Sequence, residues 1–494
     1  MNEELTRRGF CSGVLGAAAT SAFGAVLPEG PTLSGEIDFD AGCGRLKRLN
    51  GINNAMMTLG NQGKQVVETW QKMLSGMNLP SLRLHDCVAF CRRPYVDVSQ
   101  IFPLYCAKAD PSDPGNYFFW PTDDYLDIVE KCGGADMDLV YRLGESAEWT
   151  YPKRIFAHSP RDWNQYTEVC AGILRHNLDG WGGGKKRKIR YWEIWNEPDL
   201  NGKTFWERPI EDFYPFYCQV AKRPKREFDR PDVLIGGPAF SNYKPEIFEA
   251  FLKYIAKENA PLDFFTFHTY LKDWDLSWPD RPIDLRGLKA MLEKYGYGKA
   301  EIHINEWRYF PCPNWTVCRS REGQKRWNGT ARDGFHGIEA AAMTARCLTK
   351  WSDEPLDMAN FYGAQGDTWS CFAGHMLTPR YRPEAYPLDW FGALRKQFPN
   401  RVKAASSDGT MTVLASKGPD GSSAGFGALV SVFRAAAGAA PRLALKGMPA
   451  EGKVRVRFLQ NEKPPKELDL AVTGGVLNLP ACDGSAVYFI EFKK

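Results

Sequence analysis

Between about residues 48 and 397 the chain alternates short apolar runs with longer stretches of helical period, eight times in succession. The apolar runs fall near 48–55, 80–86, 137–143, 189–196, 232–237, 262–270, 300–306 and 357–363. Between and after them, near 63–77, 122–133, 160–178, 211–228, 244–259, 284–296, 333–350 and 385–397, apolar residues recur three and four apart, the spacing of a helix that buries one face. Runs such as Asp138-Leu139-Val140-Tyr141 and Val233-Leu234-Ile235-Gly236 are nearly continuous in apolar residues rather than alternating. A strand reads this way when both of its faces are covered, as in a parallel sheet flanked by helices. Eight such units over roughly 350 residues predict a (β/α)8 barrel. The alternative is a doubly wound open sheet, which would place its chemistry in a crevice between strands rather than around a ring.

The pattern changes near residue 400. Met411-Thr412-Val413-Leu414, Gly427 to Phe433, Val454 to Phe458 and Ala486 to Phe492 read as strands separated by Gly-, Pro- and Asp-rich turns, with no helical period. The expected fold class is therefore α/β, a TIM barrel over 48–398 with a C-terminal antiparallel β-sandwich over 399–494. Residues 28–47 are expected to add a strand to the sandwich before the chain enters the barrel. Residues 1–27 read as a twin-arginine export segment, with Arg7-Arg8 ahead of a weakly apolar, Ala- and Gly-rich run from Val14 to Leu27. That run is too short to span a membrane, and no other of sufficient length occurs. The protein is thus expected in the periplasm or outside the cell.

Charge and cysteine content narrow the functional classes. The 63 basic and 59 acidic side chains nearly cancel, and the run Lys185 to Lys188 sits at a strand start, so a nucleic-acid-binding surface is not expected. Twelve of the 13 cysteines lie beyond the export segment, without a C-x2-C pair, which argues against a zinc site. Cys87 with Cys91 and Cys312 with Cys318 are near enough to bridge within loops; free thiols fit the sequence equally well. Gly182-Gly183-Gly184 lacks the strand-before, helix-after context of a phosphate loop and reads as a turn. No metal or cofactor is expected. The 16 tryptophans stand out, and several fall in the long strand-to-helix loops 87–121, 144–159, 271–283 and 307–332: Trp120, Trp149, Trp274, Trp278, Trp315 and Trp327. In a barrel those loops build the functional face, so some of these rings are candidate pocket walls.

Two carboxylates carry the chemistry. In Tyr191-Trp192-Glu193-Ile194-Trp195-Asn196-Glu197-Pro198-Asp199 the alternating part is the fourth strand, and Pro198 forces the chain out of the ladder at once, projecting Glu197 toward the barrel mouth. Ala300 to Trp307 places Glu306 at the end of the seventh strand. Hydrolysis of a glycosidic bond needs such a pair, one group to protonate the leaving oxygen and one to attack the anomeric carbon or activate water. A carbohydrate-binding protein with an inactive barrel is the reading from another class, and the presence of both carboxylates argues against it.

Trp-Asn-Glu-Pro on strand four with a Glu on strand seven resembles the clan of retaining (β/α)8 glycosidases. With Leu82-Arg83-Leu84-His85-Asp86, Gly236-Gly237-Pro238 and Phe264 to Tyr270, the pattern is similar to glycoside hydrolase family 39, the family of β-xylosidases and α-L-iduronidases. The likeness spans about 45–395, a trailing β-sandwich is usual in that family, and the stretch 87–121 departs from it. The resemblance implies a retaining glycoside hydrolase, exo-acting and β-xylosidase-like, on oligo- or polysaccharides, with a uronidase or an endo-acting enzyme as the alternatives. It implies Glu197 as acid/base, Glu306 as nucleophile and Asn196 on the sugar 2-hydroxyl. His268 and Tyr270 would orient Glu306 and line the subsite. Arg83 is expected to help keep the nucleophile ionised and His85 to bind sugar. Trp149 and Trp307 are candidate sugar platforms, and Glu145 is either a substrate contact or a structural ion-pair partner. A uronidase would need a cation at the sugar carboxylate, which Arg308 or Arg319 could supply.

Overall fold

The computed structural model describes residues 30–54, 64–85, 95–133, 136–147, 157–200, 204–271, 283–311, 320–328, 334–364, 369–373, 378–419, 421–461 and 464–492. Residues 1–27, where an export segment is expected, and Trp149, Trp274, Trp278, Trp315, Arg319 and the cysteines 87, 91, 312 and 318 lie outside these residues.

After β1 (Thr32–Arg45), eight parallel strands close into a barrel: β2 (Arg48–Asn53), β3 (Ser81–Leu84), β4 (Asp138–Leu143), β5 (Tyr191–Ile194), β6 (Leu234–Phe240), β7 (Phe264–Leu271), β8 (Glu301–Tyr309) and β9 (Met358–Tyr362). Closure comes from β9 pairing with β2, Ile52 opposite Phe361. Helices follow at Lys64–Gly76, Trp120–Gly133, Trp163–Asp179, Ile210–Glu227, Pro245–Lys257, Leu285–Lys294, Ile338–Trp351 and Ala385–Gln397. Each of the eight strand and eight helix positions expected from hydrophobic period is occupied, with ends displaced by a few residues. The open-sheet alternative is excluded by the closed ring.

The barrel interior is layered. Val140, Tyr191, Phe264 and Met358 form an apolar floor. Above them lies a polar layer containing Arg83, Glu193, Thr266 and Asn305, all fully buried. The outward-facing residues of the same strands, such as Ile194, Phe265, Ile302 and Ile304, join the helices in the main apolar core.

A two-stranded ribbon, β10 (Phe372–Ala373) with β11 (Arg380–Tyr381), precedes the last barrel helix. The C-terminal domain follows as β12 (Asn400–Ser406), β13 (Met411–Gly418), β14 (Gly421–Val432), β15 (Ala437–Lys446), β16 (Gly452–Leu459), β17 (Lys466–Thr473), β18 (Val476–Asn478), β19 (Cys482–Asp483) and β20 (Ala486–Phe492). Its pairings are antiparallel except one: β1 lies antiparallel to β12 and parallel to β15, which closes the strands from β1 to β15 into a ring with β19 beyond it. An internal cluster including Ile37, Phe39, Val430, Val456 and Tyr488 fills the space between the faces. Strands β12, β15, β17, β18 and β19 were not expected from sequence. Ala437–Lys446 is rich in Ala and contains Pro441, and Lys466–Thr473 has charged residues at three of its first four positions and no aromatic residue, so neither carries the β-branched and aromatic density that marks a strand.

The domain docks on the barrel through an apolar seam. Leu414, Leu429, Phe433, Leu459, Val487 and Phe489 belong to the same core cluster as the barrel residues. Trp390 stacks on Phe489 with ring centroids 5.7 Å apart. Ser431 donates to the Ala342 carbonyl at 2.7 Å, and Arg434 pairs with Glu339 at 2.7 Å.

Part of the 87–121 stretch folds against the outer wall of the barrel. A short helix, Val98–Ile101, and a 3-10 turn, Pro114–Asn116, lead into an aromatic packet in which Phe119 stacks on His176 and Tyr117 meets Trp181 edge-on. His176 lies in the last turn of its helix, away from the mouth. Trp120, 60% exposed and edge-on to Phe118, therefore sits on the flank and not in a pocket wall. The basic run near 185 is engaged there as well: Arg187 reaches Asp127 and Glu130, each at 2.6 Å.

Candidate active site

Glu197 lies just beyond β5 on a segment with left-handed backbone, φ 74° at Trp195 and 47° at Glu197. Bulky residues adopt this region only where the surroundings enforce it, at about 1–2 kcal/mol each. Here the enforcement is visible. The Glu197 N–H donates to the Ala239 carbonyl at 2.9 Å, and Asp199 accepts from the Ser241 N–H and hydroxyl at 2.8 and 2.7 Å and from Lys244 at 2.6 Å. The loop after β6 thus clamps the loop after β5, with Glu197 between.

Glu306 reaches the interior by a different device. The β7–β8 register runs Phe267 opposite Ile304 and then His268 opposite Glu306, and the β8–β9 register passes from Ile304–Ala359 to Trp307–Phe361. One extra residue is therefore inserted in β8, a bulge at Asn305-Glu306. It turns both of these side chains inward, where strict alternation would have sent one outward. On β7 the alternation is unbroken, so Thr266, His268 and Tyr270 all face the interior.

One oxygen of Glu197, one of Glu306 and a ring nitrogen of His268 lie within 4.8 Å of one another. His268 Nδ1 is 2.8 Å from Glu197 Oε1 and 3.5 Å from Glu306 Oε2. Tyr270 donates its hydroxyl to Glu306 Oε1. Arg83 donates from Nη1 to Glu306 Oε2 at 3.3 Å, from Nη2 to Asn196 Oδ1 at 2.7 Å and from Nε to Glu193 Oε2 at 2.7 Å. His85 Nε2 stands 4.0 Å from Glu306. Asn196 is 1% exposed, and its Nδ2 has no partner among the described residues. A buried amide donor in that state is poised for an acceptor supplied by a ligand.

Burial pushes the Glu306 carboxyl above its ordinary range, and the neighbouring Glu197 adds to the rise; Arg83 and the Tyr270 hydroxyl pull the other way. The expected guanidinium and phenol are thus in place beside Glu306, yet desolvation outweighs them. Burial lowers His268 to about 4, so its ring is neutral at physiological pH. A neutral imidazole can accept a hydrogen bond from protonated Glu197 or donate one to the carboxylate.

Other sequence candidates fall elsewhere. Trp307 is not a sugar platform: the bulge turns it outward, where it is fully buried and edge-on to Trp351 at 4.8 Å and Phe361 at 5.1 Å. Glu145 accepts from the backbone N–H and the hydroxyl of Ser99, and burial, with Asp97 next, raises it to about 8. That is a structural role at the short helix Val98–Ile101, not a substrate contact. Arg308 is fully buried, paired with Glu384, donates to the Tyr362 carbonyl at 3.0 Å and lies over the Phe335 ring at 3.8 Å. It offers no uncompensated cation for a sugar carboxylate.

Two residues escaped the sequence reading. Trp369, half-buried beyond β9, meets Tyr270, the phenol that donates to Glu306, edge-on with centroids 5.9 Å apart. Nothing in its sequence surroundings separates it from the other loop tryptophans. Glu193 sits beneath the carboxylate pair, and its place inside the strand-four motif was the available signal.

A (β/α)8 barrel that presents carboxylates from its fourth and seventh strands into one pocket, with an amide, a guanidinium, an imidazole and a phenol around them, has the architecture of a glycoside hydrolase. The family model for glycosyl hydrolases family 39 matches residues 114–280, which bears out the resemblance read from the motifs. That region carries Glu197, His268 and Tyr270 and ends before Glu306. A β-xylosidase of Geobacillus stearothermophilus is 24% identical over 164 residues, a match covering 30% of this chain and 31% of that protein. Among solved structures, a glucosidase from Croceicoccus marinus aligns with a TM-score of 0.68 at 18% identity, over 94% of this chain and 99% of that one. A monomeric β-xylosidase from Caulobacter crescentus aligns at 0.66 and 15%, with the same coverage. These structural likenesses establish the fold.

Proposed function

We propose that this chain is a retaining glycoside hydrolase, β-xylosidase-like and exo-acting, which cleaves oligo- or polysaccharide bonds by double displacement after export along the twin-arginine route. The observation that carries the mechanism is the closeness of the pair, with one carboxylate oxygen of Glu197 and one of Glu306 within 4.8 Å of each other. Retaining enzymes hold their carboxyl groups at about 5–5.5 Å, whereas inverting ones leave roughly 6.5–9.5 Å for a water. The xylose-like substrate is supported by the β-xylosidases among the relatives, and export by Arg7-Arg8 and the run that follows.

In the first step Glu306, ionised and aligned by Tyr270 and Arg83, attacks the anomeric carbon while Glu197 protonates the departing oxygen. In the second, Glu197 as carboxylate takes a proton from water, which attacks the glycosyl–Glu306 ester and frees the sugar with its original configuration. His268 stays neutral throughout and can bond to Glu197 in either protonation state. Asn196 Nδ2 donates to the sugar 2-hydroxyl. The uronidase alternative loses its motivation at Arg308, whose charge Glu384 already balances.

A panel of aryl glycosides, with NMR of the first-formed anomer, tests the reading. Turnover of an aryl β-xyloside with retention is expected. An inverted product, or no turnover of any aryl glycoside, overturns it.

A further inference from the structure

Beneath the carboxylate pair one buried guanidinium serves two carboxylates. Arg83 gives its Nε to Glu193 at 2.7 Å and its Nη1 to Glu306 at the longer 3.3 Å, while Nη2 holds Asn196. Glu193 is fully buried. Its second oxygen accepts from Thr266 Oγ1 at 2.8 Å and from Asn305 Nδ2. Its partners therefore come from three other strands, β3, β7 and β8, and the group lies one layer below the reacting atoms.

We propose that Glu193 is the positioning residue of this site: it locks the Arg83 guanidinium in the orientation that presents one N–H to Asn196 and another to Glu306, and it shares the cation's charge with the nucleophile. The inference rests on the glycosidase reading above and goes beyond it in assigning the nucleophile's environment to a residue that does not touch substrate. An arginine is a rigid planar fork, so fixing Nε fixes the directions of both terminal nitrogens. The closer carboxylate takes the larger part of its field. Left to face Glu306 alone, the guanidinium would stabilise the nucleophile's charge more strongly and make it a weaker base. Glu193 holds Arg83 at the point where Glu306 is oriented without being fully neutralised. Among the described residues the other groups facing Glu306 are Tyr270 and His268 from β7, His85 after β3 and Glu197 after β5, and the variants below leave all of them in place.

The test uses the full chain and an activated aryl glycoside. Glu193→Gln keeps the shape but removes the negative charge, so the whole field of Arg83 falls on Glu306. The acid limb of kcat/KM, which reports ionisation in the free enzyme, should move to lower pH by about one unit. In the same variant kcat should fall more than KM rises, because Asn196 and Glu306 lose their alignment in the transition state. Glu193→Asp keeps the charge but withdraws it from Nε by one methylene; its limb should move in the same direction by less, and it carries the test if the Gln variant does not fold. A merely structural Glu193 would lower the melting temperature and the activity while leaving the limb where it was. A folded variant with an unmoved acid limb, beside an active wild type, overturns this inference alone. A wild type inactive on every aryl glycoside overturns it together with the reading on which it rests.

Discussion

Asn196→Ala isolates one interaction that the proposed mechanism places in the transition state. The side chain has two ends with different duties. Oδ1 accepts from Arg83 at 2.7 Å, and Nδ2 is buried and without a partner among the described residues. Removing a donor aimed at developing charge in a water-poor site costs about 2.7–4 kcal/mol, or 10²–10³ in kcat. Removing Oδ1 as well leaves a buried guanidinium N–H without its acceptor, a further cost of about 1–3 kcal/mol that appears mainly in stability. The two parts separate by substrate. On an aryl xyloside the variant should lose about 10²–10³ in kcat with little change in KM. On the matching 2-deoxy glycoside, which lacks the acceptor hydroxyl, both proteins should be slow and the difference between them should shrink to less than about tenfold. Steady-state kinetics on the two substrates, with thermal melts alongside, complete the cycle. An equal loss on both substrates, or a loss confined to KM, refutes the assignment of Nδ2 to the 2-hydroxyl.

Glu197→Gln should slow substrates with poor leaving groups by about 10²–10⁴ and activated aryl glycosides far less, because only the former need the proton; equal losses across a leaving-group series would remove Glu197 from the acid role. Glu306→Gln should abolish turnover yet raise the melting temperature at pH 7. A carboxyl pushed up by burial binds its proton more tightly in the folded state, so its ionisation erodes stability as pH rises through the raised value, and the gain over wild type should close as pH falls toward the ordinary carboxylate range; melts at several pH values decide. Trp307→Ala should cost about 3–5 kcal/mol of stability by emptying a packed site between Trp351 and Phe361, with KM unchanged in protein that remains folded; an unchanged melt with a raised KM would restore it as a sugar platform. Deleting 399–494 exposes Trp390 and its apolar neighbours on the barrel helices, so the remaining barrel should melt lower or aggregate; an unchanged melt accompanied by lost glycan affinity would make the domain a binding module instead.

The barrel was legible because its determinants are local. Apolar period and loop punctuation placed all eight strands and helices, and Pro198 marked the end of the fourth strand. The β-domain was only half legible. Strands such as Ala437–Lys446 owe their conformation to partners distant in sequence, including β1, rather than to their own residues. Within the site, Glu197, Glu306, Asn196, Arg83, His268, Tyr270 and His85 were reachable from motifs and are brought together. Trp307 was misjudged for a reason that lies in its own strand. A strand's facing is known from sequence only as a parity, and parity holds only while the ladder is regular. The extra residue at Asn305-Glu306 breaks it: upstream, His303 faces in and Ile304 out; downstream, Glu306 faces in and Trp307 out. The same insertion points Asn305 at Glu193, which completes the buried network holding Arg83. Unbroken alternation counted from Ile304 would set Trp307 inside the barrel and Glu306 outside it. The bulge that defeats the sequence count is thus what delivers the second carboxylate to the pocket, and a protein with this motif but a regular seventh strand could not assemble the pair.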